Sequence, residues 1–440
     1  MKMNRRTFTL AACGALTLPA MAIGTYAETP HTAQSVLCNW YRLVLKLVRH
    51  TPTYSPPVAS RSFAYLGVTA FEAVAGGSDD LRSLAGQLNG LSDMPRRETV
   101  QTHDEALVIH AALALAVKNF FGNTGPTGQR VMKKFEEKLY AGISQGLDGD
   151  IIARSIVHGQ AIASHILKWS QSDGGAVIEN MGFPYEFELI AGAGKWVPTS
   201  LVAQQQAPLL PDWGQNRTFA MPHGAACPLP QPPAYSEDKA SEFYKQALEV
   251  YDTTRALTAE QTLIARFWSD DPMLSPTPPG HWIAIAIQIL ERDKAGLAAT
   301  VNTLARLGIV LSDAFVACWN SKFQFDLLRP VTYIRKHIDP KWEPMLITPP
   351  FPEYPSGHST QSGAAAEVLT NLFGGNFAFE DSTHERDGLA VRSFPSFWAA
   401  AEEAGISRLY GGIHFRAAIE HGLVQGRCVA SHVNALRTKT

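Results

Sequence analysis

Three short stretches hold the residue types that can bind and act on an oxyanion. The first is Phe351-Pro352-Glu353-Tyr354-Pro355-Ser356-Gly357-His358-Ser359-Thr360. Its prolines keep the approach extended, and Ser356-Gly357-His358 turns the chain into a helix predicted from Ser359 to Phe373, closed by Gly374-Gly375. Free backbone N–H groups at such a start favour an anion. A hydroxyl, a residue that allows close approach and a titratable imidazole crowd the same point. The pattern predicts an oxyanion site with a proton-transfer histidine, although a Ser-capped turn would by itself look the same. The second stretch runs from Lys322 to Arg329-Pro330. On a continuing helix the two cations would share a face. Apolar neighbours make that costly unless an anion pairs with them or their stems reach out to water. The third is Ser407-Arg408-Leu409-Tyr410-Gly411-Gly412-Ile413-His414, leading into a last helix to about Leu436. Taken singly, Arg408 reads as a buried ion pair and His414 as a hydrogen-bonded core histidine.

The elements that must position these groups are predicted to be helical almost throughout. Apolar spacing marks helices over Val36–Val48, from Pro56-Pro57 to Val74, and over Glu105–Phe121, Gly128–Ile143 and Ile151–Trp169. They resume over Ser236–Tyr251, Ala259–Trp268, His281–Leu297 and Asn302–Trp319. No convincing alternating strand is present. Between them Gly, Pro, Gln and isolated aromatics dominate, as a linker or as an ordered loop covering something. The expected division is an N-terminal helical domain at 31–172, an irregular connection at 173–235 and a catalytic helical domain at 236–440. His281 reads as a structural or lining residue. The charged run Asp381–Asp387 reads as a solvated loop.

A chain of 440 residues exceeds what one core usually holds. With 18% charged residues and a net charge of −2, nothing suggests nucleic acid or an anionic membrane as a partner. Arg5-Arg6, the apolar run to Ala22 and small-x-small sites ending at Ala22 and Ala27 predict a twin-arginine-like signal peptide over 1–27, and export to the periplasm or beyond. No later run is expected to span a bilayer, so no stable membrane insertion is expected. Cys38, Cys227, Cys318 and Cys428 remain in the mature chain, and spacing cannot choose among their pairings. No Cys-x-x-Cys or His-Glu-x-x-His suggests zinc.

Together the stretches read Lys-x6-Arg-Pro, 24 residues, Pro-Ser-Gly-His, 48 residues, Ser-Arg-x5-His. This resembles the signature of the vanadium haloperoxidases and the type 2 phosphatidic acid phosphatases. Pro56-Pro57, the Trp196 and Trp213 segments and Pro279-Gly280-His281-Trp282 resemble the bacterial exported haloperoxidase-like group. The resemblance implies an all-α bundle around vanadate, with phosphate as a competing occupant. Lys322, Arg329 and Arg408 would hold its oxygens, helped by Ser356 and the Gly357 N–H. His414 would ligate vanadium, or attack phosphorus in a phosphatase, and His358 would be the acid/base. Lys322 would also polarise bound peroxide. Trp319 and Phe351 resemble positions that line the halide site in chloride-oxidising members of the family, where a bromide-preferring group carries His at the second. Hydrogen peroxide, a halide and a small organic acceptor are the implied partners.

An exported acid phosphatase acting on phosphate monoesters through a phosphohistidine is the alternative. A non-catalytic oxyanion binder is the third reading. One position departs from the family. The family carries Asp four residues after the second histidine, whereas this chain has Ala418. Ala418 belongs to a small-residue stripe, His414, Ala418, Gly422, Gly426 and Ala430, which lets another helix pack close. A carboxylate or carbonyl from that neighbour is expected to orient His414, with Asp313 and Glu367 as candidates.

Overall fold

The computed structural model describes residues 31–98 and 101–440; the expected signal peptide lies outside them. Thirteen helices follow: α1 (Ala33–Arg49), α2 (Pro56–Ala75), α3 (Glu105–Phe120), α4 (Pro126–Ser144), α5 (Gly149–Ser170), α6 (Glu242–Arg255), α7 (Ala259–Phe267), α8 (Thr277–Arg292), α9 (Leu297–Phe325), α10 (Pro330–His337), α11 (Gly357–Phe373), α12 (Phe397–Tyr410) and α13 (Arg416–Asn434). Their starts follow from the chain. Thr32, Asp104 and Asp148 cap α1, α3 and α5 through side-chain oxygens, and Thr258 with Gln261 forms a capping box on α7. Pro opens α2, α4, α8 and α10, where its missing N–H costs nothing.

The all-α expectation matches this architecture, with local differences. The helices α10 and α12 are not among the expected elements, and α8 begins and ends a few residues earlier than expected. A short antiparallel pair, β1 (Phe379–Asp381) and β2 (Arg392–Phe394), closes a hairpin on Phe379 and Phe394. The charged run is a solvated loop only in part: Glu385, Arg386 and Asp387 are exposed, whereas Asp381 is fully buried against His281 and His384 is buried as well.

The long helix α9 is the axis. It is long and apolar enough to cross a membrane, contrary to the expectation that no later run would be. Its apolar stretch is wholly covered by protein, which accounts for that composition. α2 crosses it closely: a Cβ on Gly308 would sit 2.7 Å from Phe63 O. α11 and α13 meet through the predicted small-residue stripe, where a Cβ on Gly426 would lie 2.2 Å from Thr360 O. Residues 31–440 form one packed unit whose main core draws on α1–α3 as well as α8, α9, α11 and α13.

The Gly- and Pro-rich segment between α5 and α6 is an ordered cover. Leu209 donates its N–H to Pro350 O, and Trp196 donates to Asp326 O. Cys227 in this segment is disulfide-bonded to Cys428 in α13, while Cys38 and Cys318 are free and buried.

Candidate active site

The helix that carries Lys322 does not continue to Arg329. Asp326 turns left-handed at φ 51° and returns its N–H to Lys322 O, ending α9. Lys322 therefore lies in the last turn of α9, while Arg329 is the N-cap of α10. They approach through this reversal and not through helical periodicity.

The extended stretch before α11 runs between these cations. Lys322 Nζ donates to the carbonyls of Pro352, Glu353 and Pro355 at 2.8, 2.9 and 2.5 Å, so its three N–H groups are all engaged. Arg329 Nε donates to Phe351 O at 2.9 Å. Its Nη1 reaches Ile413 O at 2.9 Å and His414 Nε2 at 3.2 Å, and its buried Nη2 has no partner. Ser356 caps α11, its Oγ accepting from Ser359 N at 3.3 Å. Gly357 opens the helix beside Phe315, Cys318 and Trp319.

Arg408, in the last turn of α12, donates from Nε to Ser407 Oγ at 2.9 Å and from Nη2 to Trp268 O at 2.5 Å. The Ser269 backbone acts on His358, favouring its protonated form, and the buried Nε2 of His358 has no partner. Trp319 and Phe351 lie ring to ring at 4.9 Å, with Lys322 Nζ 5.1 Å and Arg329 Cζ 5.0 Å from the Phe351 centroid.

The group missing from the sequence reading is Glu353. Its Oε1 lies 2.8 Å from His414 Nδ1 and accepts the Phe415 N–H at 2.8 Å. A carboxylate there keeps the proton on Nδ1 and leaves the Nε2 lone pair toward Arg329. The two candidate donors are elsewhere. Asp313 accepts three backbone N–H groups, from Phe219, Ala220 and Met221. Glu367 accepts from Trp398 Nε1. Ala418 on α13 is fully buried, and the extended stretch before α11 lies against it, with Ser356 N donating to Ala418 O at 3.0 Å. Glu353 lay inside the first stretch, flanked by prolines; four-residue helical spacing could not point to a loop residue.

The site is strongly unbalanced in charge. Lys322, Arg329 and Arg408 are at most 1% exposed, and among the described residues no carboxylate lies within ion-pair distance of any of them. Burial lowers Lys322 to about 7 and each arginine to about 10. Burial raises Glu353 to about 7, with Arg329 and Lys322 pulling it back. His414 is held well below its ordinary value, first by burial and then by the charges of Arg329, Lys322, Arg408 and His358. All four groups therefore bear on one imidazole. Burial and Arg408 likewise keep His358 neutral.

Comparison with known proteins agrees with this arrangement. The family model for the VCPO second helical-bundle domain matches residues 302–439. A curated relative, vanadium chloroperoxidase of Curvularia inaequalis, is 27% identical over 217 residues; the chain spans only 36% of that relative's length. The crystal structure described as the first bacterial vanadium-dependent iodoperoxidase superposes with a TM-score of 0.84 at 38% identity, over 92% of this chain and 97% of that one. A bacterial vanadium-dependent chloroperoxidase in holo form gives 0.67 at 16% identity, over 88% and 93%, a likeness of fold. The chain belongs to the vanadium-dependent haloperoxidases, a family of peroxidase-type oxidoreductases.

Proposed function

We propose that the protein oxidises halide with hydrogen peroxide, using vanadate held at His414, and that iodide is its preferred halide. The observation that carries this is the His414 Nε2 lone pair, fixed by Glu353 and set among three buried cations with no carboxylate within ion-pair distance of them among the described residues. The residues fit a tetrahedral oxyanion. Arg329 Nη2 is a buried donor without a partner, and an anion would supply both its acceptor and the missing negative charge.

Arg329 and Arg408 would hold such an anion by charge-assisted hydrogen bonds, with Ser356 and the Gly357 N–H beside them. Lys322 contributes charge, its N–H groups being committed to carbonyls. When bound, vanadate supplies a Lewis acid that activates peroxide toward halide. His414 offers its Nε2 as ligand, and Glu353 prevents the ring from turning or changing tautomer. His358, neutral and with Nε2 free, is placed to take a proton from peroxide and to return one to a departing oxygen.

Two features support iodide. The neighbour that matches at 38% identity is an iodoperoxidase. The wall residues Trp319 and Phe351 themselves present aromatic faces and no free side-chain donor: Trp319 Nε1 is spent on Leu209 O at 3.1 Å. A halide entering there loses water without gaining a hydrogen bond, which penalises the small, strongly hydrated ions most. The phosphatase alternative is not favoured by these relatives. Ala418 does not decide between the two readings, because Glu353 supplies the carboxylate that the position lacks.

Export is part of the proposal. It is supported by the signal-like residues 1–27 and by the Cys227–Cys428 disulfide, which suits an oxidising compartment. The test compares the purified protein with and without vanadate on iodide, bromide and chloride, alongside an aryl phosphate. Vanadate-dependent oxidation, fastest for iodide, is expected. Phosphate ester hydrolysis without halide oxidation would overturn the assignment.

A further inference from the structure

Behind the site lies a buried cluster that the reaction as described does not use. Asp270, His281 and Asp381 are each at most 2% exposed. His281 Nδ1 lies 2.9 and 3.1 Å from the two Asp270 oxygens, and its Nε2 lies 2.7 Å from Asp381 Oδ2. His384 is placed in the same way, with Nε2 3.2 Å from Asp270 Oδ1 and Nδ1 3.2 Å from Asp387 Oδ2. A carboxylate only accepts, so a ring flanked by two of them must donate from both nitrogens. His281 is then an imidazolium bridging Asp270 and Asp381.

The clasp ends on the catalytic groups. Asp270 closes the turn Trp268-Ser269-Asp270 after α7 and has a positive φ of 48°, a backbone state that needs outside support in a residue with a Cβ. The Trp268 ring stacks on His281 at 4.6 Å. The backbone of this turn acts on the site: Trp268 O accepts from Arg408 Nη2 at 2.5 Å, and the Ser269 backbone favours the protonated form of His358. One short turn therefore aims both an anion-holding arginine and the proton-transfer histidine.

We propose that Asp270 is a positioning residue for the halide oxidation proposed above: bridged by protonated His281, it fixes the turn whose backbone orients Arg408 and His358. The inference rests on that activity. The charge of Asp270 also acts directly on both groups, opposing the lowering of His358 and of Arg408 by burial.

The test uses the full-length protein and the variants Asp270→Asn and Asp381→Asn, with Glu105→Gln as a control that breaks the Arg97–Glu105 pair in the N-terminal half. Vanadate affinity of the unloaded protein is measured by equilibrium dialysis, and kcat and KM for iodide are measured after loading. Asp270→Asn is expected to weaken vanadate binding and to lower kcat, each by roughly ten-fold. The KM for iodide should stay within about two-fold, because the halide wall is held separately. Asp381→Asn should move the same quantities less, and Glu105→Gln should lower only the melting temperature. A folded Asp270→Asn protein with unchanged affinity and kcat would overturn the proposal.

If Asp270→Asn does not fold, Asp381→Asn carries the test, together with proton NMR of the wild type. Two exchange-protected His281 N–H resonances are expected above neutral pH, and their absence would overturn the bridge. A bound equivalent of divalent metal that Asp270→Asn loses would also overturn it, since a metal and not protons would then join these side chains. If the wild type binds vanadate yet oxidises no halide, the proposed activity falls, while the affinities of the variants still decide whether the clasp orients Arg408.

Discussion

Glu353 Oε1 sits 2.8 Å from His414 Nδ1, and the same oxygen accepts the Phe415 N–H. One loop carboxylate thus fixes both the tautomer of the histidine and the first residue after it. Glu353→Gln can present an N–H where an acceptor is needed. We expect it to lower vanadate affinity and turnover by about 10–100-fold. Equilibrium dialysis and steady-state rates check this, and wild-type values would show that His414 needs no carboxylate.

Phe351 forms the aromatic wall with Trp319 and lies under both Lys322 and Arg329. Phe351→His adds a donor where the wall has none free. The ratio of kcat/KM for bromide to that for iodide should rise by roughly ten-fold, the worth of about 1.4 kcal/mol at the transition state. An unchanged ratio would place halide selection elsewhere.

Cys227–Cys428 ties the cover segment to α13 across a sequence separation of 201. Removing so long a cross-link should cost about 2–5 kcal/mol. Paired Cys227→Ala and Cys428→Ala substitutions, followed by denaturant unfolding, test this. If the cover is held mainly by its other contacts, iodide oxidation at low denaturant will survive.

The clasp at His281 predicts a pH signature in stability. His281 is raised from 6.5 to about 10 by Asp270 and Asp381, against an opposing burial effect that is the largest single influence. Its contribution is complete below 6.5 and fades as pH rises through 10. Asp270 is depressed well below its ordinary 3.8 by His281 and His384, again against burial, so its share is present above 3.8 and fades as pH falls. The stability lost in His281→Gln, about 3–5 kcal/mol, should be greatest between these limits and shrink toward pH 10. A constant difference across that range would mean that His281 is neutral.

How far the sequence could be read depended on how local each signal was. Most helices were legible because apolar period and caps lie within a few residues of one another. The short α10 was hidden by its length and its basic last turn, Arg335-Lys336-His337. The alanine-rich α12 was hidden because Ala400, Ala401 and Ala404 carry little pattern. Lys322, Arg329, His358, Arg408 and His414 could be singled out because their order and spacing recur in a known family. Glu353 could not, since its role depends on how an extended strand lies across α13. Asp270 and Asp381 come together only in the folded chain, 111 residues apart by number, with His281 between them.

The central claim is that an oxyanion is seated on His414 Nε2 among Lys322, Arg329 and Arg408. A crystal structure of the protein soaked with vanadate tests it most directly. We predict one anion bonded to His414 Nε2, with Arg329 Nη2 and Arg408 within hydrogen-bond reach, displaced by excess phosphate. Vanadate bound elsewhere, or a His414 Nε2 occupied only by its neighbours under saturating vanadate, would contradict the account.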